Sequence, residues 1–251
     1  MPTNAEQGPG WLRRFHPATP GATRLVCLPH AGGAASYYFP FSRSLAPRVE
    51  VLAVQYPGRQ DRLDEPPLDR ISRLVDGVEA ALGAAPSATP LAFFGHSMGA
   101  VIAYETALRL QDRGFTLDHV FVSGRRAPSC YRTESVHQRD DEGIIEEIAL
   151  LGGTNVAALR DPDLLAMAMP ALRADYQAIE TYRHVPGHRL RCPVTVLVGD
   201  ADPRTTTEET KAWAGHVAGP LDVRVFPGDH FYLNQQAAAV TALVAERLAP
   251  A

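Results

Sequence analysis

Short apolar segments recur along the chain, and longer segments with helical spacing of apolar residues lie between them. The apolar segments lack strict alternation of hydrophobic and polar residues, as expected for strands that are buried on both faces of a sheet. Strands that alternate with helices form a parallel sheet covered by helices, so the predicted fold class is α/β. The six predicted strands are residues 24–28, 50–55, 91–94, 119–123, 194–198 and 223–226.

Three stretches outside these strands have helical periodicity. Residues 98–110 and 235–248 are predicted helices, whereas the residues up to about 20 are predicted to be a flexible lead-in. A third helix is predicted behind Asp69, a residue type that favours the N-cap position. Its apolar face is formed by Ile71, Leu74, Val75, Val78 and Leu82.

Residues from about 127 to 188 interrupt the alternation, because they contain two or three amphipathic helices and no convincing strand. A first apolar stripe ends at Gly152. Asp161-Pro162 has the pattern of an N-cap followed by proline at the first helical position, and Pro170 is expected to kink or split this second helix. The first stripe comprises Ile144, Ile145, Ile148 and Leu151.

We predict that this helical insertion is a lid within a single α/β domain that spans residues 1–251, with the lid at about 127–188. Helical insertions between the strands of such sheets commonly cover the active site. The alternative is a small packed subdomain that has no gating role.

Composition narrows the classes of function. The chain has 251 residues, of which 45% are hydrophobic, enough for one sizeable core. The net charge of −4 indicates neither a nucleic-acid surface nor a polybasic membrane anchor, and neither a secretory signal nor a membrane-spanning apolar run is visible. The three cysteines are far apart and form no metal or disulfide pattern. We therefore expect a cytoplasmic protein without nucleic-acid or membrane partners.

A serine lies where the third predicted strand gives way to a helix. Residues 95–99 read Gly-His-Ser-Met-Gly, a G-x-S-x-G pattern in strand–turn–helix context. This nucleophile elbow is typical of the α/β-hydrolase fold, in which a tight, strained turn projects the serine hydroxyl beyond the sheet. We predict that Ser97 is the nucleophile, and the alternative is an incidental turn serine.

A nucleophilic serine needs a base within hydrogen-bonding reach, and the base needs a carboxylate that orients it. In this fold they follow in the order serine, acid, histidine, on loops after late strands. His230 follows the last predicted strand and is the predicted base, with a surface-loop histidine as the alternative. The loop after residues 194–198 offers two carboxylates. We favour Asp202 over Asp200, because Pro203 would hold the loop just behind Asp202.

The tetrahedral intermediate of acyl transfer needs two backbone N–H donors. One is predicted to come from Met98, the residue after the nucleophile, and the other from the loop at residues 29–34, PHAGGA, after the first strand. A phosphate-cradling loop is the competing interpretation, but the Walker lysine and the full GxGxxG spacing are missing.

A metal site is not predicted. His184 and His188 are four residues apart, but Pro186-Gly187 between them argue against a helix that would align the two imidazoles on one metal ion.

Short motifs are spread over nearly the whole chain. They are LPHAGG with the Tyr-Tyr-Phe that follows it, QYPGR at 55–59, GHSMGA at 95–100, GDADP at 199–203 and GDHFYL at 228–233. Together they resemble the type II thioesterases, stand-alone proteins that accompany polyketide synthases and nonribosomal peptide synthetases. The resemblance extends from about residue 20 to residue 248.

The resemblance implies a thioester hydrolase that removes stalled or aberrant acyl groups from the phosphopantetheine arm of acyl or peptidyl carrier proteins. It implies that Ser97, Asp202 and His230 form a catalytic triad. It also implies that the amides of Ala31 and Met98 form the oxyanion hole and that residues 127–188 form the lid. No cofactor is expected, since the phosphopantetheine belongs to the substrate protein, and the protein is expected to be a monomer.

Three other functional classes are alternatives, and two of them use the same triad. A general carboxylesterase or lipase would hydrolyse oxygen esters, and a product-releasing thioesterase would discharge or cyclise a finished chain. A catalytically inactive binding module would not need the intact serine, aspartate and histidine set.

Two expectations concern substrate contacts. Arg125 and Arg126, at the predicted lid entrance, are candidates for contact with phosphate or a carrier protein, with solvated loop arginines as the alternative. Four apolar residues of the lid are candidates for lining an acyl chamber, with core packing as the alternative. They are Ile144, Ile148, Met167 and Met169.

Overall fold

The computed structural model describes residues 10–83, 89–152 and 158–249, and within them seven strands form one sheet in the order β1-β3-β2-β4-β5-β6-β7. Strand β1 runs antiparallel to β3, and every other neighbouring pair is parallel. The α/β-hydrolase fold class and all six predicted strands are thus confirmed. The strands are β1 Leu12–Arg13, β2 Thr23–Leu28, β3 Val49–Val54, β4 Leu91–His96, β5 Leu117–Ser123, β6 Val194–Gly199 and β7 Leu221–Phe226.

Helices cover both faces of this sheet. Alternate residues of each strand point to opposite faces, so Val26 joins one apolar cluster with α2 and α3, while Leu25 joins another with α1 and α8. The helices are α1 Phe39–Leu45, α2 Ile71–Leu82, α3 Met98–Asp112, α4 Asp141–Leu150, α5 Pro162–Thr181, α6 Thr207–Lys211, α7 Tyr232–Gln235 and α8 Ala237–Arg247. None of the helices in the described ranges combines the length and apolar composition that a membrane crossing needs.

The start of the described chain is part of the sheet, so the prediction of a flexible lead-in was wrong from residue 10 onward. Leu12 pairs with Val54 on β3, and the ring of Trp11 lies edge-on to Tyr56 with 6.4 Å between ring centroids. The segment was missed because a two-residue strand leaves no periodicity to detect. Residues 1–9 of the predicted lead-in lie outside the described residues.

Two local predictions about helix ends were also wrong. Helix α2 has Arg70 as its N-cap, without a side-chain cap, whereas the Asp69 carboxylate accepts a hydrogen bond of 3.1 Å from Gln177 on α5. Tertiary contact thus takes the carboxylate that would otherwise cap the helix. The predicted helix at 235–248 is confirmed as α8, but its start was wrong by two residues, because the short helix α7 ends at Gln235 and α8 begins at Ala237.

The segment between β5 and β6 contains α4 and α5 and its own small apolar cluster. The Asp161 side chain accepts hydrogen bonds from the amides of Asp163 and Leu164, which confirms the predicted cap and the proline at the first turn of α5. Helix α5 continues through Pro170, so the predicted split was wrong. Pro170 is exposed and its neighbours pack inward, which offsets the missing hydrogen bond. The cluster comprises Val136, Ile144, Met169, Leu172 and Tyr176.

Candidate active site

Ser97 occupies a sharp turn between β4 and α3. Its backbone angles, φ 56° and ψ −116°, lie in a region that residues other than glycine rarely adopt. The flanking glycines make the turn possible: an added Cβ at Gly95 would lie 2.1 Å from the carbonyl oxygen of Gly99, and one at Gly99 would lie 2.0 Å from that of Leu28. The predicted strained elbow is therefore present.

The structure brings Ser97, His230 and Asp202 together at the carboxyl edge of the sheet. His230 Nε2 lies 2.9 Å from Ser97 Oγ, and His230 Nδ1 lies 2.8 Å from Asp202 Oδ2. Asp202 and His230 are both buried, and the second Asp202 oxygen accepts a 2.8 Å hydrogen bond from the Arg204 amide. The three side chains are thus connected in the order that proton transfer from the serine requires.

Asp200, the competing carboxylate, lies on the same loop but points elsewhere. Its Oδ1 accepts a hydrogen bond of 2.9 Å from the amide of Gly228, in the turn that precedes His230. Asp200 therefore braces the two loops against each other, while the carboxylate of Asp202 contacts the imidazole.

Two further histidines, His30 and His96, lie near His230, and the lowered pKa of each keeps its imidazole uncharged at neutral pH. Burial, followed by the repulsion of His230 and of Arg59, lowers the pKa of His30 to about 3. Burial and the same repulsion from His230 place the pKa of His96 well below its usual value. Because neither ring carries a charge at neutral pH, neither opposes the formation of an imidazolium at position 230.

The amides of Ala31 and Met98 belong to residues that line one cavity with Ser97 and His230. In the described part of the chain, neither amide donates a hydrogen bond to another protein atom. Met98 is the first residue of α3, where an N–H has no partner within the helix and the helix dipole favours negative charge. Both amides are therefore free to donate to a ligand oxygen.

A buried ion pair anchors the loop that carries Ala31. The amide of Gly32 donates to Asp175 Oδ2 at 2.7 Å, and Asp175 binds Arg59 through two hydrogen bonds of 2.6 and 3.0 Å. Arg59 also donates to the Gly33 carbonyl at 3.1 Å. Burial tends to lower the pKa of Arg59, but the attraction and hydrogen bond of Asp175 outweigh it, and the net direction is upward. The guanidinium of Arg59 therefore stays charged.

Sequence reasoning missed this pair. Arg59 was singled out only as part of the QYPGR motif, and Asp175 was not singled out at all. The one available signal was an acidic residue within the apolar face of α5, where it is wholly buried.

The cavity has a volume of about 320 Å³ and lies between the edge of the sheet and the helices α4 and α5. Of the four predicted chamber residues, Ile148 lines it. Ile144 and Met169 are buried in the small cluster of the helical segment, and Met167 is half exposed. The prediction was therefore wrong for Met167, which lies on the solvent side of α5, and for Ile144 and Met169 the alternative of core packing holds.

Arg125 and Arg126 line the inside of this cavity and not an outer surface. Arg126 is buried and donates to Glu134 at 2.5 Å. The alternative of a solvated loop arginine is therefore wrong for Arg126, whose charge is paired inside the protein, and contact of either arginine with phosphate or a carrier protein stays a prediction.

Comparison with known proteins gives a consistent result. A family model described as thioesterase domain matches residues 23–248. The chain is 51% identical over 240 residues to a probable cadicidin biosynthesis thioesterase of Streptomyces griseus. This match covers 96% of the chain and 66% of that relative. It is 51% identical over 236 residues to thioesterase PikA5 of Streptomyces venezuelae, covering 94% of the chain and 84% of the relative.

Among solved structures, the fold is similar to that of the type II thioesterase BorB from the borrelidin biosynthetic cluster. The TM-score is 0.90 at 46% sequence identity, and the match covers 96% of this chain and 99% of BorB. The motifs quoted above thus lie in a chain whose similarity to these proteins extends over nearly its whole length.

Proposed function

This chain belongs to the thioesterase family of hydrolases that act on thioester bonds, and we propose that its substrates are acyl groups on the phosphopantetheine arm of acyl or peptidyl carrier proteins. The family assignment confirms the resemblance that the motifs indicate. The observation that carries the proposal is the connected set Ser97–His230–Asp202 at a covered cavity. Relatives named for cadicidin and borrelidin biosynthesis support a role in polyketide or nonribosomal peptide assembly.

In the proposed acylation step, Ser97 Oγ attacks the thioester carbonyl while His230 Nε2 accepts the hydroxyl proton. Asp202 accepts the hydrogen bond from Nδ1 and stabilises the imidazolium that forms. The bond between the carbonyl carbon and sulfur then breaks, and the proton passes from His230 to the departing pantetheine thiol. The products of this step are the acyl-serine and the free arm.

In the proposed deacylation step, water takes the place of the thiol. The water oxygen attacks the acyl-serine carbonyl while His230 accepts a proton from the water. His230 then returns that proton to Ser97 Oγ as the carboxylic acid leaves. The amides of Ala31 and Met98 stabilise the oxyanion in both steps, an effect of about 3–4 kcal/mol per donor. This chemistry needs no cofactor of the protein's own, since the arm arrives with the substrate.

We further propose that the segment at about 127–188 acts as the lid of one domain and that the protein works as a monomer. The residues of α4 and α5 that line the cavity support the assignment of a lid, because they share this cavity with Ser97. A covered cavity suits an editing hydrolase, which must accept a range of stalled or aberrant acyl groups and exclude water until one is bound.

The test is a hydrolysis panel with acyl-carrier proteins, small acyl thioesters and matched oxygen esters. We expect turnover of acyl-carrier substrates by the intact protein and none above background by Ser97→Ala. Ser44→Ala, on the exposed side of α1, is the matched control and should retain full activity. A strong preference for oxygen esters would favour a carboxylesterase or lipase, and activity on finished chains alone would favour a product-releasing enzyme.

A further inference from the structure

The cavity wall beside Ser97 is unusually rich in charge for a chamber that is proposed to hold an acyl chain. Three arginines and three glutamates line it within the described residues, together with apolar side chains of the helical segment. Buried charges are expensive unless they are paired, so the partner of each one is informative. The six residues are Arg125, Arg126, Arg204, Glu134, Glu147 and Glu180.

All but one of these charges are satisfied by protein groups. Arg126 donates to Glu134 at 2.5 Å. Arg204 Nε donates to Glu147 at 2.8 Å, and Arg204 reaches Glu134 at 3.4 Å. Glu180 accepts hydrogen bonds from two backbone amides, of which the shorter is 2.8 Å, and it contacts an imidazole. The carboxylates of Glu134, Glu147 and Glu180 are therefore each already bound to another group of the protein.

Arg125 is the exception. Among residues 10–83, 89–152 and 158–249, its guanidinium forms neither an ion pair nor a hydrogen bond, and the neighbouring carboxylate of Glu134 is paired with Arg126 instead. Burial lowers the pKa of Arg125 to about 9, with further lowering by Arg126 and Arg132 that Glu134 and Tyr182 only partly oppose. The side chain is therefore still protonated at neutral pH, and in the described residues no carboxylate forms a direct ion pair with it.

The backbone at this position is tightly held. The Arg125 carbonyl accepts a hydrogen bond of 3.0 Å from the Trp213 indole, and the Gly124 amide donates to Leu197 at 2.8 Å. Gly124 is also close to the reacting groups, since an added Cβ there would lie 3.4 Å from His230 Cε1. The backbone of Arg125 is therefore anchored by hydrogen bonds, and its side chain lines the same cavity as the imidazole of His230.

We propose that the guanidinium of Arg125 is a subsite for an anionic group, a carboxylate or a phosphate, carried by the thioester substrate. A guanidinium presents two parallel N–H donors that match both groups. The carboxylate would be the far end of a dicarboxylic acyl group, and the phosphate would be that of the pantetheine arm. This inference rests on the proposed function, because it assigns part of the substrate to the chamber that contains Ser97.

Two matched pairs of substrates distinguish the two sources of the anion. Butyryl and succinyl thioesters of N-acetylcysteamine differ by a terminal carboxylate and contain no phosphate. Butyryl pantetheine and butyryl phosphopantetheine differ by the phosphate alone. The intact protein, Arg125→Gln and Arg125→Lys are compared, and Arg48→Gln is the control, since Arg48 is exposed.

We expect the intact protein to favour the anionic member of one pair. In Arg125→Gln, kcat/KM for that anionic substrate should fall roughly 10- to 100-fold, mainly because KM rises. The uncharged butyryl thioester should lose much less kcat/KM in Arg125→Gln than its anionic counterpart does. Arg125→Lys should keep part of the preference, because it retains the charge but not the paired donors. Arg48→Gln should behave as the intact protein.

An equal loss on charged and uncharged substrates in Arg125→Gln, or no loss on any of them, would overturn the subsite. Failure of the proposed function is separate, since it would appear as no hydrolysis of the uncharged butyryl thioester by the intact protein. Binding of the corresponding thioethers, which cannot be hydrolysed, is then measured by calorimetry. An affinity for the anionic thioether that depends on Arg125 would still support the subsite.

Discussion

The carboxyl edge of the sheet and the helical segment between β5 and β6 hold their polar side chains by different means. At the edge, Ser97, Asp202 and His230 follow the ends of three parallel strands, so the hydrogen bonds of the sheet set their positions. In the helical segment, polar side chains are held by ion pairs between side chains and by a small apolar cluster of the segment's own.

The two regions meet at Asp175, which extends from α5 to the loop that carries Ala31. The comparison shows that the reacting atoms are positioned by the backbone, whereas the shape and charge of the chamber depend on side-chain pairing. Substitutions at the edge should therefore abolish turnover while the fold stays stable. Substitutions in the segment should change substrate choice or stability.

The largest effect is expected for the serine and histidine themselves. Ser97→Ala and His230→Ala should each lower kcat for acyl-carrier hydrolysis by a factor on the order of 10⁵–10⁶, and the double variant should be no worse than either one, because the two groups act as a unit. Single-turnover assays measure the loss, and thermal unfolding should show little change. A double variant far slower than both single variants would show that the two residues act independently.

The two carboxylates on the loop after β6 should differ sharply. Asp202→Asn should lower kcat by a factor on the order of 10⁴, because an amide favours the wrong imidazole tautomer. Asp200→Asn keeps an oxygen for the Gly228 amide and should cost less than about tenfold. Steady-state measurement of kcat for the two variants tests which carboxylate is the acid of the triad. Equal or reversed losses would reject Asp202 as the acid.

Breaking the link between the regions should have an intermediate effect. Asp175→Asn leaves Arg59 buried without its counterion, so the free energy of unfolding should fall by about 3 kcal/mol. We expect kcat to fall roughly 10- to 100-fold, since the loop of Ala31 loses its anchor. Chemical denaturation and kinetics measure the two effects.

The matched control for Asp175 is Asp141→Asn, which removes an exposed ion pair with Arg173 in the same helical segment. That variant should lose at most about 1 kcal/mol and keep its kcat. If Asp175→Asn were destabilised but kept its full kcat, the ion pair would stabilise the fold without positioning the loop.

The smallest effect is expected for an apolar residue of the chamber wall. Ile148→Ala should change the ratio of kcat/KM for long and short acyl chains by about tenfold, at the lower end of the roughly 10- to 200-fold range for fully buried pocket contacts, because Ile148 is only half-buried. Met167→Ala, on the exposed side of α5, should leave the ratio unchanged. A series of acyl thioesters provides the measurement. A larger change with Met167→Ala would place the acyl chain outside the cavity.

Much of the fold was predictable because the signals are local. Buried parallel strands are continuous apolar runs, and all six strands were predicted from the sequence, although the edge strand β7 proves to be partly exposed. The same local logic failed for Leu12–Arg13, a strand too short to have a pattern. It also failed for Asp69, because a distant glutamine on α5 competes for its carboxylate. Cap prediction considers only sequence neighbours, so such competition is invisible to it.

The sequence by itself determined the family, the α/β class and the residues predicted to react, since the class follows from local periodicity and the others from short motifs that follow predicted strands. Only the tertiary structure decided which groups pair. It brought His230 to Asp202 and not to Asp200, and it joined Arg59 to Asp175 across 116 positions of the chain. It also left Arg125 without a partner among the described residues. Pairing depends on distances between segments that are remote in sequence, and a single sequence contains no measure of such distances.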